Sequence, residues 1–358
     1  MPFIVFIGPL PPPIGGVGVI NASFQKLNYN GYEILAFNTS KMRLREDLYK
    51  GFPLNNFIPE CKKILSLYHF IKINKPRIVN IFVTSGYSVI RDGLFMLTVK
   101  LFQIPIVVHF HSKKYGEFAL KPRRLKLLAR FFNKYAQRII LLSEDHYNFF
   151  TNYLAPEKCV VIENFVKYED FNCRIEDKTD DFLYVGRLTK EKGFLNLIDA
   201  VYFLKKQGIN VKINVIGLAA NEIEQNLLIE KIKNYQIKDC FDFQGIKTGP
   251  QKFDIFKRTK VLIFPSHFEN SPVVLKEAIA AKMGIIASDI EANKLILKDK
   301  GNTVWHQVNN PMSLADAIKE YLSCKDRGLS LCMASSAITD YDSSYAEKRI
   351  NQIISELV

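Results

Sequence analysis

The sequence predicts a protein of the α/β class with two parallel sheets. Short apolar runs rich in Val, Ile and Phe alternate along the chain with segments of helical periodicity. A length of 358 residues is enough for two domains of ordinary size. The polar, acidic stretch from Tyr168 to Asp181 lies between two strand-like runs, which is typical of a domain boundary.

Bulk composition favours a cytosolic protein with full cores. Hydrophobic residues make up 48% of the chain, but no apolar run approaches the ~20 residues that span a bilayer. The N-terminus lacks the pattern of a signal peptide, since Pro9 to Pro13 interrupts its apolar run early. The six cysteines are scattered without a C-x-x-C pair, which predicts reduced thiols and no zinc site.

The segment from Leu262 to Ala281 is the most informative about function. It is predicted to form a buried strand, a turn and a helix that starts near Pro272, with Ser271 as the capping residue. The free backbone amides at the start of such a helix, and the positive end of its dipole, can bind an anion or a dense array of hydroxyls.

Two glutamates, Glu269 and Glu277, belong to this segment. A carboxylate can accept hydrogen bonds from two vicinal hydroxyls, as a sugar or a ribose offers them. The alternative is that Glu269 is a surface acid and Glu277 forms an ion pair with Lys276 or Lys282.

A second predicted strand-to-helix loop carries Arg187 and Lys192. The strand is expected at Phe182–Val185 and the helix at Asn196–Leu204, with Gly186 at the turn. Ligands of parallel sheets bind at the carboxyl ends of strands, where these two cations could hold a diphosphate. Solvated loop charge is the alternative.

The N-terminal segment repeats this arrangement. A strand at Phe3–Ile7 is followed by a proline-stiffened loop and then by Gly15 and Gly16, whose amides could approach a phosphate closely. Neither a GxGxxG fingerprint nor a P-loop is present, and a plain tight turn is an equal alternative.

Together these motifs resemble those of the retaining nucleotide-sugar glycosyltransferases of the GT-B fold, family 4. The resemblance covers nearly the whole chain and keeps the family's order of motifs. In chain order they are GGVG, IPIVVHFHS, RIILLSE, VVIENFV, VGRLTKEKG, VIG, FDFQGIK and VLIFPSHFENSPVVLKEAIA. Two positions depart from the pattern, because Asn270 and Phe165 stand where the family usually has glycine.

The resemblance implies two Rossmann-like domains that face a central cleft. Residues 1–170 would form the acceptor-side domain and 171–340 the donor-binding domain, and a C-terminal helix in 341–358 would cross back to the first domain. The implied reaction is retaining transfer of a sugar from a nucleotide diphosphate sugar, with UDP favoured and GDP as the alternative. A hydroxyl of a glycan or lipid-linked saccharide would accept it, in bacterial surface polysaccharide synthesis.

The resemblance also implies roles for individual residues. Arg187 and Lys192 would stabilise charge on the leaving diphosphate, Glu269 would orient the sugar, and His111 would lie beside it. His109 two residues earlier is the alternative to His111, and a core histidine is a further one. The donor-binding set is Gly15, Gly16, Gly186, Gly217, Gly245, Ile246, Asn270, Ser271, Pro272, Val273 and Glu277, with Glu277 on the ribose. No cofactor and no metal are expected.

Positive charge is concentrated in the first half of the chain. The net charge is +13, and residues 1–170 hold 23 Lys and Arg against 12 Asp and Glu, a net of +11. The charge peaks at 113–138, where a basic amphipathic helix could bind an anionic membrane, steer an anionic acceptor, or pack on its own domain with a solvated face. The residues expected at acceptor or membrane are Lys113, Lys114, Arg123, Arg124, Lys126 and Arg130. No reader motif accompanies them, so nucleic acid is not an expected partner.

Other functions compete with glycosyl transfer. A GT-B sugar-nucleotide epimerase would need no acceptor, and a phosphorylase would need orthophosphate. A catalytically silent subunit that recruits a complex to the membrane would not need all four of Arg187, Lys192, Glu269 and Glu277. A dinucleotide-dependent oxidoreductase would need the glycine fingerprint that the first strand lacks.

Overall fold

The computed structural model describes residues 1–12, 15–40, 57–83, 88–111, 122–297, 303–326 and 341–358. The strands in these ranges are β1 (Phe3–Gly8), β2 (Glu33–Asn38), β3 (Ile78–Val83), β4 (Ile106–Phe110), β5 (Arg138–Leu141), β6 (Cys159–Val161), β7 (Asp180–Val185), β8 (Ile213–Ile216), β9 (Phe241–Gly245), β10 (Thr259–Phe264), β11 (Gly284–Ser288) and β12 (Thr303–His306).

The helices in the same ranges are α1 (Gly16–Phe24), α2 (Phe57–Asn74), α3 (Ser88–Lys100), α4 (Pro122–Tyr135), α5 (Glu144–Phe150), α6 (Tyr168–Phe171), α7 (Phe194–Lys206), α8 (Glu222–Asn234), α9 (Gly249–Arg258), α10 (Val273–Ala280), α11 (Glu291–Leu297), α12 (Pro311–Asp326) and α13 (Ser343–Leu357). Short 3₁₀ turns occur at Pro156–Lys158 and Lys238–Cys240.

The chain divides into two compact units, each built on one six-stranded sheet. Unit 1 comprises 1–164 and 343–358, and unit 2 comprises 165–342. The strand orders are β2-β1-β3-β4-β5-β6 and β12-β11-β10-β7-β8-β9. All recorded strand pairs are parallel, which confirms the predicted α/β class.

Both sheets are covered by helices on their faces, as parallel sheets require. β3 and β4 are buried at every residue, because their runs IVNIFV and IVVHF present side chains to both faces. On one face of the first sheet, α2, α3 and α4 contribute to a single apolar core. The second sheet carries one apolar core on each face.

The order of the second sheet contains a switch point between β7 and β10. From β7 the chain proceeds outward through β8 and β9, and from β10 it proceeds in the opposite direction through β11 and β12. Ligands of open α/β sheets bind in the crevice at such a point, beyond the carboxyl ends of the strands. The loops that follow β7 and β10 are the two loops that the sequence singles out.

The last helix, α13, belongs to unit 1 although unit 2 precedes it in the chain. Asn28 N donates to Glu347 Oε2 at 2.9 Å, and Asn351 Nδ2 donates to Asn28 O at 2.8 Å. Ile350 is fully buried. The implied return of the C-terminal helix to the first domain is therefore confirmed, and the helix runs from Ser343 to Leu357.

None of the helices in the described ranges has the length and apolarity that crossing a bilayer requires.

Candidate functional site

The loops after β7 and β10 are bound to each other. His267 N donates to Glu191 O at 2.9 Å, and the side chains of Asn196 and His267 lie 3.0 Å apart, Nδ2 to Nε2. Gly193 has a φ of 69°, and a Cβ there would lie 1.9 Å from Pro265 O. Only glycine fits this contact, so the two loops form one structure at the switch point.

Lys192 and Glu269 form an ion pair between these loops. Lys192 Nζ lies 2.6 Å from Glu269 Oε1, and Ser266 Oγ donates to the same oxygen at 2.7 Å. Arg187, on the first loop, is exposed, and its carbonyl shares the Tyr184 hydroxyl with the carbonyl of Lys192. The two loops thus bring together three of the residues that the sequence selects, Arg187, Lys192 and Glu269.

Tyr184, at the end of β7, holds the backbone of the loop that follows this strand. Its buried hydroxyl donates to Arg187 O at 2.8 Å and lies 3.3 Å from Lys192 O, so one side chain joins both ends of the cationic loop. Burial raises the pKa of Tyr184 far above its ordinary value, and the charge of Glu269 adds to the rise. The hydroxyl therefore remains a donor at any physiological pH. Sequence reasoning missed this residue, since nothing distinguishes it from another strand tyrosine.

Glu277 lies on α10 and is paired with Lys252 of α9. Lys252 Nζ contacts both carboxylate oxygens, at 2.6 and 2.7 Å. The alternative partners Lys276 and Lys282 are wrong, because Lys276 Nζ points to Ser271 Oγ (3.1 Å) and Lys282 Nζ donates to Cys173 O. No sequence signal identifies Lys252, which lies 25 residues before its partner.

The expected cap of this helix is also wrong. α10 begins at Val273 with Pro272 as its N-cap residue, and no side chain caps it. Ser271 is turned toward Lys276, the one buried cation of α10, and its hydroxyl accepts that ammonium's hydrogen bond instead. The residues Asn270 to Pro272 connect Glu269 to the first residue of the helix, Val273.

Three predicted glycines lie at the carboxyl ends of β7, β8 and β9. Gly186 N donates to Ile216 O, and Gly217 N donates to Gly245 O at 2.9 Å. A Cβ on Gly217 would lie 1.8 Å from Gly186 O, whereas Gly245 has open space and a φ of 68°. They form a side-chain-free ledge next to Arg187, and the side chain of Ile246 is exposed at its end.

In unit 1, Gly15 is the N-cap residue of α1 and Gly16 is its first residue. A Cβ on either residue would meet no atom within 4 Å. Packing among the described residues therefore does not require glycine at these positions, and the backbone there is open to contact.

The structure distinguishes the two histidines of β4. His109 is fully buried, and its Nε2 lies 3.0 Å from Asn80 Oδ1. His111 follows the strand end, where its ring stacks on Phe82, and its Nε2 has no hydrogen-bond partner among the residues that the structure describes. The two rings are parallel within 5°, and both stack on Phe82. Burial, aided by His146, lowers the pKa of His111 to about 3, which leaves the imidazole neutral.

The predicted basic helix is α4, and its apolar side is used by its own domain. Leu125, Ala129 and Phe132 are buried in the core of unit 1, so this side of α4 is not available to a membrane. Lys126 and Arg130 are exposed. Lys113 and Lys114 lie outside the described residues, and for Arg123 and Arg124 only the helical backbone is described.

Among the described residues, no three His, Cys, Asp or Glu side chains are grouped as metal ligands.

The second unit matches a known protein family. Residues 167–334 match the model of glycosyl transferases group 1. The match covers most of unit 2, with the loops after β7 and β10 and both glutamates inside it.

Two relatives cover most of the chain. The capsular polysaccharide biosynthesis glycosyltransferase CapH of Staphylococcus aureus is 24% identical over 327 residues, which is 84% of this chain and 90% of CapH. The UDP-Gal:alpha-D-GlcNAc-diphosphoundecaprenol alpha-1,3-galactosyltransferase of Escherichia coli is 24% identical and covers 74% of this chain and 70% of its own.

Among solved structures, Anabaena HepE in complex with UDP aligns with a TM-score of 0.75 at 14% identity. The alignment covers 99% of this chain and all of that chain. HepE has also been solved with UDP-glucose. At this identity the likeness establishes the fold, two parallel α/β sheets of the GT-B type.

Proposed function

We propose that this protein is a retaining glycosyltransferase of family 4 that transfers a sugar from a nucleotide diphosphate sugar to a hydroxyl. UDP is the favoured nucleotide and GDP the alternative. The acceptor is a glycan or a lipid-linked saccharide of a bacterial surface polysaccharide, and the protein works on the cytoplasmic side of the membrane.

One observation carries the proposal: the ion-paired loops after β7 and β10 hold Arg187, Lys192 and Glu269 together at the switch point of the second sheet. An exposed guanidinium beside a glycine ledge suits a diphosphate, whose oxygens accept the planar fork of donors. A carboxylate in the same contact suits sugar hydroxyls. CapH is a glycosyltransferase of capsular polysaccharide biosynthesis, the Escherichia coli relative uses UDP-Gal and a diphosphoundecaprenol acceptor, and HepE binds UDP and UDP-glucose. These relatives support this choice of substrates.

In the proposed reaction, the bond between the anomeric carbon and the diphosphate breaks as the acceptor oxygen bonds to that carbon, and the proton of the acceptor hydroxyl passes to the leaving phosphate. Negative charge then grows on the leaving phosphate, where Arg187 and Lys192 stabilise it more strongly than in the ground state. The carboxylate of Glu277 accepts hydrogen bonds from the ribose hydroxyls. The nucleotide lies on the ledge of Gly186, Gly217 and Gly245, next to Ile246.

The remaining expectations belong to the same proposal. The amides of Asn270, Ser271 and Val273, beyond Glu269, orient the sugar. Gly15, Gly16 and His111 are proposed to act on the donor from unit 1. Metal independence stays a prediction, and transfer measured with and without a chelator tests it.

The first experiment is a titration of UDP, GDP, ADP and CMP without metal. The parent is compared with the variant Arg187→Ala/Lys192→Ala and with a matched control, Lys206→Ala/Lys212→Ala. The control removes two cations that lie away from both loops, at the end of α7 and just before β8.

We expect the parent and the control to bind one nucleoside diphosphate, and the loop variant to lose that binding. Its transfer rate should fall at least about a hundredfold, the usual cost of removing a donor aimed at developing charge. Equal affinity in all three proteins would contradict the diphosphate site. The anomeric configuration of the product, read by NMR, tests retention separately.

A further inference from the structure

Helix α3 is apolar on its outer face as well as on its inner face. Val89, Phe95, Met96 and Val99 face the core. On the opposite side, Ile90, Leu94 and Leu97 are 57%, 42% and 38% exposed, and Leu101 just beyond the helix is 73% exposed. Their spacing places them on one line along the helix. Single exposed aliphatic residues are ordinary, but a continuous exposed apolar row marks an interaction surface, so this row calls for a partner.

The neighbouring helices extend the row into a surface. Tyr68 of α2 packs on Phe102 at the end of α3, with ring centroids 5.1 Å apart. On the other side, Gly93 of α3 faces the ring of Phe131 of α4. The outward side chains of these flanking helices include further exposed aliphatic residues, Leu65, Ile73 and Leu127. We call the outward surface of these three helices the α2–α3–α4 face.

The charges of the α2–α3–α4 face have one sign. Among the described side chains of the three helices, the exposed charged residues are Lys62, Lys72, Lys100, Lys126, Arg130 and Lys134. Neither of the two acids there is exposed, since Glu60 is half-buried and Asp92 is buried against Arg91 at 2.6 Å.

Helix α8 of unit 2 shows what an ordinary solvent face looks like in this protein. It also exposes aliphatic residues, namely Ile223, Leu227 and Ile229. However, exposed acids alternate with them, including Glu222 and Glu230. Exposed leucine alone is therefore common here, and the combination with unopposed positive charge is confined, among the described helices compared, to the α2–α3–α4 face.

We propose that the α2–α3–α4 face docks on an anionic lipid surface. The aliphatic row would enter the boundary between headgroups and acyl chains, while the surrounding lysines and arginine meet lipid phosphates. A second copy of the chain would bring two basic faces together, which costs energy. The phosphates of a nucleic acid would bind the cations, but they would make no favourable contact with the leucines.

This surface shares no residue with the donor loops of unit 2, so lipid binding and nucleotide binding can succeed or fail independently. If the proposed function holds, docking brings the enzyme to a lipid-linked acceptor. The α4 helix contributes its cations to this contact, while α3 contributes the apolar part that the buried side of α4 cannot supply.

The test is co-sedimentation with phosphatidylcholine vesicles, with and without phosphatidylglycerol. Four proteins are compared: the parent, an apolar variant (Leu94→Gln/Leu97→Gln), a charge variant (Lys126→Gln/Arg130→Gln/Lys134→Gln) and a control on α8 (Ile223→Gln/Leu227→Gln). All changed side chains are exposed, so the fold should tolerate them, and UDP binding together with circular dichroism checks each protein.

We expect the parent and the α8 control to bind the anionic vesicles and to bind neutral vesicles weakly. The apolar variant should lose roughly tenfold in affinity, because the two leucines no longer transfer apolar area into lipid. The charge variant should lose about a hundredfold, since three cations are removed from the lipid surface.

Several results would overturn the proposal. If the parent binds vesicles equally with and without phosphatidylglycerol, the anionic lipid contact is wrong. The same holds if the variants bind as well as the parent. A parent that is dimeric in gel filtration and becomes monomeric in the apolar variant would make the face an interface between copies. Preferential binding to RNA that only the charge variant loses would assign the patch to nucleic acid.

Discussion

At the scale of residues, the site combines groups that the sequence shows with groups that only the fold reveals. Arg187, Lys192 and Glu269 stand out in the sequence because cations and a carboxylate on strand-to-helix loops suggest a ligand. Tyr184 does not stand out, because it looks like any other tyrosine of a buried strand although it donates to Arg187 O three residues later. Lys252, the partner of Glu277, does not stand out either, because it lies 25 residues away in the chain. The charged residues of the two loops can be predicted from residue type and position, whereas the residues that hydrogen-bond to them depend on tertiary contacts.

Tyr184→Phe tests the support of the cationic loop. The change removes only the hydroxyl that donates to Arg187 O, so a half-buried carbonyl loses its partner at a cost of about 0.5–1.5 kcal/mol. We expect weaker UDP binding and a higher KM for the donor. Tyr202→Phe serves as the control, since that ring stacks on Tyr235 away from the loop. Unchanged UDP affinity in Tyr184→Phe would show that the hydroxyl stabilises the fold without positioning the loop.

His111 should make unit 1 sensitive to acid. Its pKa is about 3 in the folded protein and 6.5 in an ordinary setting, so between these values the unfolded chain binds a proton that the folded chain does not. Stability is complete above about pH 6.5 and falls as the pH drops, by up to about 1.4 kcal/mol per pH unit. Burial lowers the pKa of His109 in the same direction.

His111→Gln should therefore reduce the loss of stability between about pH 7 and about pH 5, without abolishing it, because His109 remains. Urea midpoints at the two pH values provide the measurement. His69→Gln changes an exposed histidine and should leave the difference between the midpoints as in the parent. If the His111 variant shows the parent's full pH dependence, the imidazole is not held neutral.

At the scale of elements, the switch point explains why two distant segments form one site. The sequence predicts both loops but not their adjacency, because strand order is set by how the helices cross over the sheet. Gly193 is the residue on which the adjacency depends. Its place in KEKG before a helix is a weak signal, and only the fold shows that Pro265 O fills the space of its missing side chain.

Gly193→Ala should separate the two loops. The new Cβ would overlap Pro265 O, so the loops must shift, at a cost of roughly 1–3 kcal/mol for overpacking. Gly208→Ala is a matched control, because its φ of 75° is equally unfavourable for alanine but its Cβ would meet no atom within 4 Å. Thermal unfolding and UDP titration of both variants give the measurement. Equal effects would mean that backbone strain, and not loop contact, explains the loss.

At the scale of the whole molecule, the sequence predicts two α/β domains, a linker and a returning helix from alternation, composition and resemblance. It also shows that positive charge gathers in the first half. What it cannot show is which apolar residues of α3 are exposed, because aliphatic residues in a predicted helix are ordinarily expected to be buried. Likewise, the apolar side of α4 suggested a membrane-binding stripe until the fold placed it in the core.

Ile350→Ala tests the attachment of α13 to unit 1. Truncating a fully buried isoleucine costs about 2–5 kcal/mol, and the cost should fall on unit 1. We expect faster hydrogen exchange of amides in β1 and β3 and unchanged exchange in β7 and β10. Ile318→Ala, a fully buried residue of unit 2, should give the reverse pattern. Exchange that rises equally in both units would contradict the division of the chain.

The path of the chain through the two units has a consequence for synthesis. Because unit 1 needs residues 343–358, no nascent chain can complete it until unit 2 has already left the ribosome. Unit 2, in contrast, is continuous and can fold as soon as 165–342 has emerged. The half of the protein that is translated first is thus finished last, and its sheet must wait with the side that receives α13 uncovered.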